Sequence, residues 1–325
     1  MENKLYTIDE VKEFIKKNEL LSLAGDEKLL SQLPKGNWIA GTTPYFMDIE
    51  KGLFSKNKIF VTKLTNIENE FKILTYNENN IKNIVTDSYE NGYTIIIIPP
   101  FQKIHEQYAL HAIEIEGIFN NPISGWVAGK DLNSDDTPKT FNGNTLMSYK
   151  DQAVAIHVKL PEEKFALLQV NNIFERDEKS DRIQFFNNGF ECDVCLINGK
   201  TRNLSEYIKE NNIDIRMPLV TNYHGIKSNI SFKDIKNGKV SFYAPFFKNR
   251  TYKFPKKFTN YITKFEQNMP ETDTHVEFSC NCILNYIYCE LENKKIKNTT
   301  GPITFGEIGY ILHNQTMVNL IISDY

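Results

Sequence analysis

GPITFGEIGYILHNQT, residues 301–316, decides how the end of this chain folds. A glycine-bearing strand is predicted at 302–309, and the apolar run MVNLIIS predicts a closing strand at 317–323. Upstream, HVEFSC at 275–280 predicts another strand, and a helix is expected at 283–292. The C-terminal part of the chain is therefore predicted to be one strand-helix-strand-strand unit.

The same order of elements occurs twice earlier in the chain. The predicted strands, helices, glycine-bearing strands and closing strands lie at 20–24, 26–33, 37–43 and 59–64 in the first copy, and at 93–98, 104–115, 123–129 and 153–160 in the second. These repeats predict an α/β (α+β) protein with mixed or antiparallel sheets and helices on their outer faces, a layered α/β sandwich. A capping box of Thr7 and Glu10 predicts an opening helix at 7–17.

Composition excludes several classes of protein. Hydrophobic residues make up 41% of the 325 residues, and the formal net charge is -3. No basic block suits nucleic acid, and no apolar run reaches the roughly 18 residues that a membrane span needs. An N-terminus without a signal peptide and an odd count of five cysteines predict a cytoplasmic protein with reduced thiols.

Several motifs resemble those of the FIST domains of bacterial intracellular signal transduction. They are NWIAGTT at 37–43, PISGWVAG at 122–129, SEYIKE at 205–210, PLV at 218–220 and FGEIGYILHNQT at 305–316. The resemblance implies an N-terminal segment at 1–160 and a C-terminal segment at 161–325. It also implies a sensor for small ligands such as amino acids, with haem binding in some members, that signals through a separate protein. CNCI at 280–283 departs from the family pattern because it lacks the expected glycine and arginine.

The closing stretch carries most of the predicted ligand-binding residues. Glu307 and His313 flank one turn, where a carboxylate and an imidazole can exchange a proton or hold the amine and the carboxylate of a ligand. The alternative is that Glu307 and Asn314 satisfy backbone groups of a buried turn. The complete predicted ligand-binding set is Glu307, His313, Asn314, Gln315, Trp126, Trp38 and Cys280.

The two tryptophans lie close to strand glycines, Trp38 near Gly41 and Trp126 beside Gly125. A glycine within a strand marks a place where another group approaches the backbone closely. That group is either a ligand with the indole as one wall of its site or another side chain of the core.

Metal and haem sites have weaker support in the sequence. Cys192 and Cys195 invite a zinc interpretation, but residues three apart on a continuous strand point to opposite faces, which favours buried structural thiols. Single haem ligation by His105, His111, Tyr108 or Tyr89 stays open beside surface or capping roles for the histidines. No metal is predicted.

The sequence thus predicts a non-catalytic intracellular sensor or binding protein for a small molecule, without nucleic acid or a membrane as partner. The usual enzyme motifs GxSxG, GxxxxGK[ST], GxGxxG and HExxH do not occur. Two alternatives remain open. One is an enzyme built around Glu307, His313 and Cys280, and the other is a haem sensor or a structural interaction subunit.

Overall fold

The computed structural model describes residues 3–65, 67, 70–223, 225–258, 260–267, 269 and 275–325. It confirms an α+β fold that is rich in mixed and antiparallel sheets. The chain forms two compact units. The large unit comprises Met1–Asn171, Met269–Leu312 and Met317–Tyr325, and the small unit comprises Asn172–Asn268 and His313–Thr316.

Three six-stranded sheets build the large unit. The first sheet has the order β1 (Lys4–Tyr6), β6 (Ile59–Lys63), β2 (Leu21–Gly25), β3 (Trp38–Thr42), β10 (Thr140–Asn142), β11 (Met147–Tyr149). The second has the order β7 (Phe71–Tyr76), β12 (Ala153–Lys159), β8 (Gly92–Ile98), β9 (Ile123–Val127), β24 (Glu307–Gly309), β25 (Ile311–His313). The third has the order β13 (Lys164–Asn171), β26 (Met317–Asp324), β22 (Val276–Cys282), β23 (Gly301–Thr304), β4 (Tyr45–Met47), β5 (Gly52–Phe54).

The three sheets follow one plan. In each, two strands from the start of a repeat pair in parallel (β2 with β3, β8 with β9, β22 with β23), and the closing strand of that repeat pairs antiparallel with the first of them. The three predicted repeats are therefore three copies of one structural unit.

Each sheet is completed by a hairpin from another repeat. The hairpin β4–β5 of the first repeat joins the third sheet through β23, and β10–β11 of the second repeat joins the first sheet through β3. β24 of the third repeat joins the second sheet through β9. This cyclic exchange ties the repeats together, and it corrects the single strand predicted at 302–309. That segment divides at Phe305 and Gly306 because β23 and β24 belong to different sheets.

Inward-facing side chains of all three sheets form one hydrophobic core. Members from the three sheets include Ala24 and Phe60, Ile95 and Val154, and Phe278 and Val318. Strands alternate their side chains between two faces, so the opposite face of the first sheet packs elsewhere, against helices α1 (Ile8–Lys16) and α2 (Glu27–Leu30). The predicted capping box at Thr7 and Glu10 opens α1.

The other elements of the large unit are short. They are α3 (Lys103–His111), α6 (Ile283–Tyr288) and two 3-10 helices at Ile81–Ile84 and Ala112–Glu114. No helix among the described residues is long and apolar enough to span a bilayer.

The described residues of the small unit form small sheets and two helices. The sheets have the orders β14 (Ile183–Gln184), β16 (Val194–Ile197), β17 (Lys200–Asn203); β15 (Gly189–Cys192), β21 (Lys239–Phe246), β20 (Phe232–Lys236); and β18 (Leu219–Tyr223), β19 (Ile226–Ile230). The helices are α4 (Leu204–Glu210) and α5 (Tyr261–Gln267). Aromatic rings fill its centre, where Phe185 stacks on Phe246 with ring centroids 3.9 Å apart. The family boundary predicted near residue 160 stays a prediction, since the compact units combine segments from both sides of it.

Candidate functional site

All seven predicted ligand-binding residues are buried. Glu307, Gln315 and Trp126 have no exposed surface, and His313, Asn314, Trp38 and Cys280 each expose 1%. Polar groups buried in this way are ordinarily held by hydrogen bonds within the protein. The contacts of these residues therefore decide between ligand binding and structural roles.

Three of the seven meet in the core of the large unit. Glu307 on β24 lies directly opposite Trp126 on β9, so both side chains occupy the same face of the second sheet. The Thr304 hydroxyl donates to Glu307 Oε1 at 3.2 Å, and Cys280 Sγ donates to the Gly125 carbonyl at 3.4 Å. Burial, followed by the charge of Glu307, raises the pKa of the Cys280 thiol, so the thiol stays protonated and is a poor nucleophile.

Glycine makes room for each tryptophan in this unit. A Cβ added to Gly41 would lie 2.6 Å from the Trp126 ring, and one added to Gly143 would collide with the Trp38 ring. Trp38 faces the helices, away from Trp126, and its Nε1 donates to the Pro34 carbonyl at 2.9 Å. The contacts at Gly41 are those of core packing between repeats.

The turn His313–Thr316 is part of the small unit, and Glu307 is part of the large unit. Ser231 Oγ donates to Gln315 Oε1 at 2.7 Å, and Gln315 Nε2 donates to the Arg216 carbonyl at 3.0 Å. Asn229 Nδ2 donates to the Asn314 carbonyl at 3.0 Å. These bonds hold the Gln315 side chain and the Asn314 backbone within the small unit.

The residues considered for haem ligation also have contacts within the protein. Tyr108 donates to the Tyr310 carbonyl at 2.6 Å, and His111 pairs with Glu114 at 2.8 Å. His105 is buried, and Tyr89 lies under the Lys72 ammonium. Haem binding stays a prediction.

A cleft of about 810 Å³ opens at the carboxyl ends of β2 and β3 in the large unit. In open sheets with parallel strands, ligands bind outside the carboxyl ends of those strands. The lining residues are Gly25, Asp26, Glu27, Lys28, Leu29, Ser31, Thr42, Thr43, Pro44, Lys56, Asn57, Gly129, Lys130, Asp131, Asp136 and Thr137.

One wall of this cleft is the crossover segment, residues 128–139, which joins β9 to β10. Twelve residues make this connection, whereas the equivalent connections of the other repeats, 43–44 and 305–306, have two residues each. Thr42 holds the crossover segment in place. Its hydroxyl donates to the Gly129 carbonyl at 2.8 Å and accepts from the Lys139 backbone N–H at 3.0 Å, and its carbonyl accepts from the Gly129 N–H at 2.6 Å.

Charges of both signs line the cleft. The lining holds four carboxylates (Asp26, Glu27, Asp131, Asp136) and three lysines (Lys28, Lys56, Lys130), a formal charge of 3 - 4 = -1.

Lys56 and Asp131 form an ion pair across the cleft at 2.8 Å. The hydrogen bond to Asp131, with the nearby charges of Asp136 and Asp26, raises the pKa of Lys56. The same hydrogen bond lowers the pKa of Asp131, so both groups remain charged through neutral pH.

The acidic residues of the cleft do not form a recognisable metal site. Across the described residues, no three His, Cys, Asp or Glu side chains are grouped so that they could hold a metal ion.

Sequence reasoning missed this cleft because its lining residues are ordinary surface types. The available signal was the length of the polar segment after PISGWVAG, which exceeds the matching connections of the other repeats. A comparison of repeat lengths would have pointed to the crossover segment.

Comparisons with known proteins give a family without an assigned activity. A search of curated proteins finds no match to this chain. The model of a family of unknown function, DUF6976, matches residues 6–323. The resemblance to FIST domains stays a prediction beside this match. The chain therefore belongs to the DUF6976 family.

Proposed function

We propose that the protein binds a small polar molecule that carries both a cationic and an anionic group, and that the cleft at the ends of β2 and β3 is its site. The observation that carries the proposal is the Lys56–Asp131 ion pair at 2.8 Å inside a cleft of about 810 Å³. Pockets for small molecules generally have volumes of roughly 300–1,000 Å³. Free amino acids have the required charges and are the first ligands to test.

A ligand with an ammonium and a carboxylate can replace the two partners of this ion pair. Its ammonium would bind near Asp131 and Asp136, and its carboxylate would bind near Lys56. Asp26 is already engaged, since its carboxylate accepts from the Lys28 backbone N–H at 2.9 Å and caps α2. Exchange of one charged partner for another avoids leaving an uncompensated charge in the occupied cleft.

Binding without turnover is the role that the charges of the cleft favour. A general acid or base works best with a pKa near the operating pH. The pKa of Lys56 is raised and that of Asp131 is lowered, which moves both groups away from neutrality. In the proposed role, occupancy of the cleft is a cytoplasmic signal read by a separate protein, as the FIST resemblance implies.

Thermal-shift screening with the twenty common amino acids tests the proposal. A compound that binds only the folded state raises Tm with concentration. We expect at least one amino acid to raise Tm of the wild-type protein, and Lys56→Met to weaken its binding about tenfold or more.

Lys159→Met is a matched control for this variant. Lys56 and Lys159 side chains are both 38% exposed, and each forms an ion pair at 2.8 Å, Lys159 with Glu70 outside the cleft. Equal loss of binding in the two variants, or no Tm change with any amino acid, would contradict the proposal.

A further inference from the structure

The two cysteines of the motif Cys192-Asp193-Val194-Cys195 meet in the small unit. On one continuous strand their side chains would point to opposite faces, which was the expectation from sequence. That expectation is wrong because the strand breaks at Asp193. β15 ends at Cys192, β16 begins at Val194, and the two strands belong to different sheets.

Hydrogen bonds hold the break at Asp193 in place. Its carbonyl accepts from the Leu204 N–H at 3.0 Å, and its carboxylate accepts from Asn203 Nδ2 at 2.6 Å. Asp193 itself is exposed, while Cys192 and Cys195 on either side point inward with 5% and 0% exposure. The break therefore turns both thiols toward the same interior.

Both thiols are free and buried, and their side chains interact with each other. This contact lowers the pKa of Cys195 and raises that of Cys192. Burial instead raises the pKa of Cys280 and of Cys289. Of these four, Cys195 is the thiol whose environment favours the reactive thiolate, and its resolving partner is already in contact.

We propose that Cys192 and Cys195 form a reversible disulfide on exposure to a peroxide, which makes this pair a redox modification site of the small unit. A peroxide of the size of hydrogen peroxide is the fitting oxidant because the pair lies under a one-residue surface turn with almost no exposed area. The bond would join β15 to β16 and thereby link two sheets of the small unit.

Oxidation of the two thiols to a disulfide takes two steps. The Cys195 thiolate attacks one peroxide oxygen, the O–O bond breaks, and hydroxide leaves and takes up a proton to form water, so that Cys195 becomes a sulfenic acid. Cys192 then loses its proton and its sulfur attacks Cys195 Sγ. The S–O bond breaks, a second water leaves, and the disulfide forms. Two thiols and one hydrogen peroxide thus give one disulfide and two waters, and an added thiol reductant reverses the change.

Peptide mass spectrometry of the wild-type protein tests this proposal directly. Trypsin cleavage after Arg182 and Lys200 places both cysteines in the single peptide Ile183–Lys200. After treatment of the folded protein with hydrogen peroxide, denaturation and alkylation, we expect this peptide to lack alkyl groups and to be lighter by two hydrogen atoms. Reduction before alkylation should restore two alkyl groups, and the peptide that contains Cys289 should be alkylated under both conditions.

A second measurement separates the roles of the two thiols. In Cys192→Ser, Cys195 should accumulate as a sulfenic acid that a dimedone probe labels, whereas Cys195→Ser should give much weaker labelling. Full alkylation of Ile183–Lys200 after peroxide treatment would overturn the proposal. Oxygen retained on the wild-type sulfurs, a disulfide to another cysteine, or stoichiometric zinc bound to the pair would also overturn it.

Discussion

The closing stretch 301–316 and the crossover segment 128–139 differ in how deeply their polar residues are buried. The closing stretch is unusual as a sequence, yet Glu307, His313, Asn314 and Gln315 are all at most 1% exposed. The crossover segment reads as an ordinary polar loop, yet it lines the cleft with Lys130, Asp131, Asp136 and Thr137. The conspicuous polar residues of the closing stretch are therefore part of the packed interior, whereas the ordinary polar residues of the crossover segment line the cleft.

The repeats explain this difference. The strands that all three repeats share pair with one another, and their buried backbone groups must form hydrogen bonds within the protein. Where one repeat departs, with twelve connecting residues in place of two, the extra chain is free to form a wall of a cleft. We expect stability to depend on the buried residues and ligand binding to depend on the crossover segment.

The largest expected effect follows from Trp126→Ala. Trp126 is fully buried against Gly41, and truncation of a buried tryptophan costs about 3–5 kcal/mol of unfolding free energy. Urea unfolding measures this loss. Leu132→Ala in the crossover segment, where the side chain is 46% exposed, should change stability by less than about 0.5 kcal/mol. A Trp126→Ala protein that lost ligand binding but kept its stability would contradict the assignment of Trp126 to core packing.

A pH effect of similar size is expected from His157, which is fully buried on β12. Its Nε2 hydrogen-bonds with the Tyr76 hydroxyl and its Nδ1 with the Thr94 hydroxyl, both at 2.8 Å. Burial lowers the pKa of His157 from 6.5 to about 4. Between these values the unfolded state binds more protons, so the contribution of neutral His157 is present above pH 6.5 and is lost as the pH falls toward 4, a total of about 3 kcal/mol.

His157→Gln should remove this part of the pH dependence. The test is the difference in unfolding free energy between wild type and variant, measured from pH 7 to pH 4. The other titratable groups are the same in both proteins, so their contributions cancel in this difference. Parallel curves would contradict the assignment. Ligand affinity should not follow the same titration, since Lys56 and Asp131 keep their charges across the upper part of this range.

Gln315→Ala should have an intermediate effect. The change removes the amide that accepts from the buried Ser231 hydroxyl and donates to the backbone carbonyl of Arg216, an exposed residue. We expect a loss of about 1–3 kcal/mol in denaturant unfolding, with ligand affinity unchanged. Gln107→Ala on the exposed side of α3 is the chemical control and should be nearly neutral. A Gln315→Ala protein that kept full stability but no longer bound ligand would indicate that the ligand binds at the turn His313–Thr316.

Much of the fold follows from the sequence because each repeat carries its own local signals. The capping box predicted at Thr7 and Glu10, for example, opens α1. The exchange of hairpins did not follow, because pairing between distant strands leaves no local pattern. The split at Phe305 and Gly306 and the break at Asp193 were missed for the same reason.

The site was harder to predict than the fold. Thr42, Lys56 and Asp131 lie far apart in sequence, and the folded repeats bring them together at one strand end. Sequence patterns favour residues that are chemically conspicuous, such as Glu307 and Cys280, whereas the cleft uses common charged residues. Pairing of β3 of the first repeat with β10 of the second brings those residues to one cleft.

The smallest expected effect on stability is that of Lys56→Met. An exposed ion pair contributes little to stability because water screens it, so the unfolding free energy should remain close to that of Lys159→Met. Denaturant unfolding of the two variants side by side measures this. A much larger loss of unfolding free energy in Lys56→Met than in Lys159→Met would mean that the ion pair is structural, and it would contradict the assignment of Lys56 to a ligand.

The most direct measurement is a backbone amide NMR spectrum of the isotope-labelled protein, recorded during titration with the amino acid that raises Tm most. The cleft predicts that shifted resonances concentrate at Gly25, Thr42, Gly129 and Asp131, with saturation at one equivalent. Resonances of Glu307 and of His313–Thr316 should remain in place. Shifts that concentrate in the closing stretch and leave the crossover segment unchanged would contradict the assignment of the cleft.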